Sequence, residues 1–185
     1  MNTKFKILKT ITTFIFSLII ISGAFSQEKK EQKSKMLDFV SKTGVIIKFE
    51  DYNLPKLKLN YGVAEAKIRK IISGNEKQFF LQISKKGQYN TKTASIAYED
   101  ILEIQKALTS LQDQSVNDLV TLSDYLENKF ITDDGFQIGY LINKGKITWY
   151  VTLEKYGSGN TAFAKDLESL VETFKFGKEK IEGLK

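Results

Sequence analysis

Cysteine and histidine are both absent from the 185 residues, and proline and tryptophan occur once each, as Pro55 and Trp149. Without cysteine there is no disulfide, so a domain outside the cytoplasm must be held by its core alone. Without histidine the commonest general base and the commonest zinc ligand are missing, and with them serine–histidine and cysteine–histidine nucleophiles. A zinc hydrolase would need an all-carboxylate site. Cofactor fingerprints are lacking too. Gly157-Ser158-Gly159-Asn160 has the glycines of an anion-binding loop, but no Lys-Ser/Thr pair follows, so it is neither a P-loop nor a dinucleotide motif. No cofactor and no metal site is expected.

What chemistry remains rests on carboxylates. Glu127, Asp133, Asp134 and Glu154 are the acids best placed to form a pair, because strand register brings Asp133, Asp134 and Glu154 to one end of a sheet. A glycoside hydrolase needs two carboxyls roughly 5–10 Å apart across a cleft. Asp133-Asp134-Gly135 is also ordinary turn chemistry, and it lacks the alternating ligands of a calcium loop. A hydrolase of the cell envelope using Asp133, Asp134 or Glu154 is therefore the alternative reading, behind a non-enzymatic one.

The first 26 residues carry lysines at 4, 6 and 9, an apolar run from Ile11 to Ile21, and a closing Ala24-Phe25-Ser26. These are the three regions of a cleavable signal peptide, with cleavage expected after Ser26 and no stable membrane span afterwards. The protein is thus expected to be periplasmic or extracellular. Its Lys-, Ile- and Asn-rich composition behind such a leader resembles that of small exported proteins of Gram-negative bacteria. Residues 27–35, QEKKEQKSK, hold no apolar side chain and read as a flexible tether. Residues 36–185 are of a size for a single domain.

The whole chain has 28 basic and 22 acidic residues. Removing the three leader lysines leaves 25 against 22, a balance of +3 that is ordinary for a soluble surface. Nucleic acid is not an expected partner.

The strongest pattern lies at residues 125–154. Strands 136–143 and 146–153 are separated by Lys144-Gly145, a length for a tight hairpin, and pairing them across that turn sets Ile142 against Ile147, Tyr140 against Trp149 and Ile138 against Val151. One face is then wholly apolar. A slip of one residue would mix the faces. Gly139 falls opposite Tyr150, whose ring can cover the missing side chain. A three-residue loop Asp133-Asp134-Gly135, with Gly135 left-handed, sets Phe130 against Ile138 and Leu126 against Ile142. Earlier, a Gly74-Asn75 turn sets Ile68 against Leu81 and Ala66 against Ile83.

Two segments switch to helical period. From Glu99, Ile101, Ile104, Leu108 and Leu111 share a face; from Thr161, Phe163, Leu167, Leu170, Val171 and Phe174 do so, with Asn160 or Thr161 as cap and an end near Gly177. The fold class expected is α+β: a mostly antiparallel sheet of about six to eight strands, with helices at about 99–113 and 161–176 packed on one face. An all-β barrel closed over a ligand is the alternative architecture.

The reading of function is a small exported, non-enzymatic binding or interaction protein. Its partner would be an unknown protein or small ligand of the cell envelope. Gln137, Leu141 and Tyr150 on the uncovered sheet face, with Tyr156 in the loop beyond, are the expected contact residues. Tyr140, Trp149, Phe136, Phe130 and Phe163 are expected to lie in the core.

Overall fold

The computed structural model describes residues 34–185; the expected signal peptide and residues 27–33 of the expected tether lie outside the described residues. Nine strands and three helices follow in the order α1 (Lys35–Val40), β1 (Ile47–Asn53), β2 (Leu57–Lys58), β3 (Val63–Ser73), β4 (Glu76–Lys86), β5 (Thr91–Ala97), α2 (Tyr98–Asp118), β6 (Leu126–Ile131), β7 (Gln137–Asn143), β8 (Lys146–Thr152), β9 (Thr161–Phe163) and α3 (Leu167–Glu182). Every pairing is antiparallel. The fold is α+β, as the alternation of periods 2 and 3.6 requires.

The strands form two sheets, β1-β3-β4-β5 with β2 also on β3, and β6-β7-β8-β9. The chain joins them edge to edge: Leu59 bridges Ala164, the Asn60 N–H donates to the Phe163 carbonyl at 3.0 Å, and the Lys165 N–H donates to the Lys58 carbonyl at 3.1 Å. One contiguous core results. It gathers Ile68, Leu81, Ile83 and Ile96 from the first sheet, Ile138, Tyr140, Trp149 and Val151 from the second, and Ile104, Leu108, Leu170 and Phe174 from α2 and α3.

The hairpin registers are those expected. Tyr140 faces Trp149, Ile142 faces Ile147, Phe130 faces Ile138, and Ile68 faces Leu81. Lys144 and Gly145 both have positive φ, 50° and 72°, as a two-residue type I′ turn demands. Gly135 has φ 84° at the end of its three-residue loop, where the Thr132 N–H donates to the Phe136 carbonyl at 2.9 Å. The Tyr140 and Trp149 rings meet edge to face at 4.9 Å.

Several expectations are corrected. Thr161–Phe163 is not the start of a helix but the edge strand β9, and the true cap is Asp166, whose carboxylate accepts from the Ser169 N–H at 2.8 Å. The helix then runs through Gly177, because a side chain there would press on Leu81, 3.1 Å from its Cδ2; the glycine permits close packing rather than ending the helix. Phe163 accordingly leaves the core and sits on the opposite face. The first long helix continues past 113 to Asp118, held by the Tyr140 hydroxyl, which donates to Asp118 Oδ2 at 2.5 Å. Finally, α1 covers part of the opposite face, packing Phe39 on Ile71, Phe80 and Ala97.

The ionic surface predicts a definite pH profile. Asp51 is held well below the usual carboxylate range by its hydrogen bond to Arg69, with Lys67 adding to it. Glu50 is lowered to about 2 by Lys48, Lys70 and Tyr52. Groups depressed in the folded state give stability that is present above their unfolded pKa and lost as pH falls through the folded one. No histidine titrates between. Thermal melting should therefore be flat from about pH 5 to 8 and fall progressively below about pH 4; a large slope between pH 5 and 8 in a calorimetric series contradicts this assignment.

Candidate functional site

Side chains alternate along β6–β9, so the set that does not face α2 and α3 forms one outer face: Glu127, Lys129 and Ile131 from β6, Gln137, Gly139 and Leu141 from β7, Thr148, Tyr150 and Thr152 from β8, Thr161 and Phe163 from β9. Among the described residues no helix lies on it. Phe163 is 43% exposed, Ile131 52%, and Tyr125 just before β6 57%. Gln137 and Leu141 are half-buried in its middle.

Tyr150 departs from expectation. It lies on this face as register requires, but it is only 3% exposed. Its hydroxyl donates to Glu127 Oε1, two strands away, so the ring must lie across Gly139. The Phe163 ring closes on its other side, edge to face at 6.5 Å. Burial, reinforced by the bond to Glu127, pushes the phenol far above its ordinary pKa, while that bond and Lys129 hold the Glu127 carboxyl below its own. Tyr150 therefore supports the face from beneath, and the apolar side chains left at its surface are Leu141, Phe163, Ile131 and Tyr125. Tyr156 is exposed in the β8–β9 loop, with the Lys155 ammonium 5.6 Å above its ring.

The candidate acids are brought to one end of the sheet but not into a pair. Asp133 is exposed at the turn tip. Asp134 turns to α1, its oxygens accepting from the Lys35 backbone N–H at 3.0 and 3.1 Å. Glu154 turns the other way, to Lys92 Nζ at 2.7 Å. None of the three lines a principal cavity. The Gly157-Ser158-Gly159-Asn160 loop leads into β9 and not a helix, so it offers no helix N-terminus to an anion.

Sequence reasoning missed one ionic cluster. Asp100 is 4% exposed and holds Lys35 Nζ at 2.5 Å, beside Asp134. Burial alone would lower the Lys35 ammonium's pKa, but its bond to Asp100 and the nearby acids raise it. Burial, helped by the charges of Asp100 and Asp133, pushes the Asp134 carboxyl above its ordinary range. The signal was in the period: Asp100, Ile104, Leu108, Leu111 and Ser115 occupy one inward stripe of α2, so Asp100 had to be buried and paired. The cluster pins α1 to the Asp133–Gly135 turn.

The principal cavities are surface recesses, each bordered by charged side chains; one of about 340 Å³ lies between Lys77, Phe79, Tyr98 and Lys185. No three acids among the described residues cluster as a metal site, and no described helix is long and apolar enough to cross a membrane. No protein-family model, curated protein or solved structure matches the chain.

Proposed function

We propose that the chain is a small exported, non-enzymatic binding protein whose partner is a protein of the cell envelope. The outer face of β6–β9 is its contact surface. The observation that carries this reading is a sheet face with no helix over it in the described residues, bearing Leu141, Ile131, Phe163 and Tyr125 around a buried Tyr150–Glu127 bond. Apolar side chains grouped on a polar-rimmed patch are the mark of an interaction surface. A face of paired strands is broad and shallow, which suits another protein better than an enclosed small molecule. The engagement of Asp134 by α1 and of Glu154 by Lys92 adds weight against the carboxylate hydrolase.

The test is recovery of the tagged protein from its own envelope, beside a Leu141→Lys, Phe163→Lys double variant that melts like the wild type. The wild type should retain a specific partner protein and the variant should lose it by roughly tenfold or more. Equal recovery with both proteins places the contact elsewhere.

A further inference from the structure

The second sheet ends at β6, and among the described residues nothing pairs with its outer edge. The Thr132 N–H donates to the Phe136 carbonyl, which fixes the phase of the β6–β7 ladder: Leu126, Asn128 and Phe130 spend their backbone groups on β7, whereas Glu127, Lys129 and Ile131 point theirs outward. The opposite sheet edge, β5, is partly closed, since the outward Thr93 N–H donates to Glu154 Oε1 at 3.4 Å. A free edge is a template for another strand unless something blunts it.

The residues on this edge are complementary to themselves. If a second β6 is laid antiparallel with Asn128 facing Asn128, Glu127 faces Lys129 and Lys129 faces Glu127 across the join. Both pairs use the outward backbone groups, so the ladder hydrogen bonds form in the same register. Tyr125 then faces Ile131, covering two of the exposed apolar side chains of the outer face, and Leu126 faces Phe130 on the helix side. Centring the pair on Lys129 instead would oppose two lysines, and centring it on Glu127 two glutamates. A one-residue offset would mix the faces. Charge thus selects one register.

The helix beneath makes room for this. Glu103, Ala107, Ser110 and Gln114 lie along one flank of α2 and, with Asn128, Lys129 and Phe130, border an open recess of about 640 Å³ beside the edge. Because α2 packs beneath β6 and β7, two strand spacings of about 4.8 Å would set it roughly 10 Å from its symmetry mate, a normal distance for packed helices. Ala107 and Ser110 are small enough to let it approach.

We infer that two copies of this chain associate through β6, edge to edge about a twofold axis at Asn128, making one continuous antiparallel sheet. The inference does not rest on the envelope partner proposed above; it concerns the edge of β6 and, of the outer face, covers only Tyr125 and Ile131.

Analytical ultracentrifugation of the purified protein tests it. The wild type should show a concentration-dependent monomer–dimer equilibrium, and Lys129→Glu should weaken it by roughly tenfold or more, since both symmetric pairs become repulsive. Mixing Lys129→Glu with Glu127→Lys should restore a heterodimer. In the chain's cysteine-free background, Asn128→Cys should give a disulfide-linked dimer on oxidation, because facing residues across such a ladder have Cα atoms within disulfide reach; this arm decides the matter if Glu127→Lys does not fold. A monomer at every concentration, a dimer indifferent to Lys129→Glu, or no Asn128→Cys crosslink overturns the inference.

Discussion

Trp149→Ala is expected to destabilise the protein by about 3–5 kcal/mol, the range for deleting a large buried aromatic side chain. The ring is 9% exposed and joins the core shared by both sheets and both long helices. It meets Tyr140 edge to face, and the Tyr140 hydroxyl in turn holds Asp118 near the end of α2. Removing the indole therefore opens a void and loosens the ring that ties the helix end to the sheet. Because Trp149 is the sole tryptophan, the measurement should be urea unfolding followed by circular dichroism instead of intrinsic fluorescence. An unchanged midpoint would place Trp149 outside the core and reverse the assignment of the two sheet faces.

Gly139→Ala should cost about 3 kcal/mol, at the upper end of overpacking effects. The added methyl would overlap the Asn128 carbonyl oxygen and lie 2.7 Å from the Lys129 Cα. Backbone cannot rotate away as a long side chain can. The reason is the ladder phase: Gly139 and Lys129 form the close, non-hydrogen-bonded kind of pair, in which the strands are nearest. The same methyl would lift the Tyr150 ring from the strand it crosses and weaken its bond to Glu127. Calorimetry of the variant should show a large fall in melting temperature, and a fall of less than about 0.5 kcal/mol in stability would mean that the strands can part here without cost.

Hairpins were legible because their rules are local. The lengths of Lys144-Gly145, Asp133-Asp134-Gly135 and Gly74-Asn75, together with a period of two, leave one register for each, and all three are observed. The long helices were legible in kind but not in extent. Three residues, Thr161–Phe163, are too few for alternation to stand out, and Phe163 keeps helical spacing with Leu167 and Leu170, so the strand was absorbed into the helix that follows. The six residues of α1 gave no periodic signal, since their docking depends on the distant Asp134 and Asp100.

The outer face was legible as a set of residues but not as a surface. Register placed Tyr150 there with Gly139 opposite; what it did not show is that the ring reaches on to Glu127, two strands away, and is buried in doing so. The glycine allows the ring to lie flat and the glutamate holds its hydroxyl, which leaves Leu141 and Phe163 as apolar side chains at the surface of the face. Register gathered Asp133, Asp134 and Glu154 at one end of the sheet; the groups that hold Asp134 and Glu154 apart, the Lys35 backbone N–H and the Lys92 ammonium, come from α1 and β5, far off in sequence.

The most direct test of a binding role for this face is site-specific photo-crosslinking in the living cell, with the photoreactive residue placed at position 141 on the outer face or at position 112 on the exposed side of α2. A discrete adduct with another protein from position 141 and none from position 112 is the predicted result. Adducts from position 112 alone, or from neither position, contradict the account.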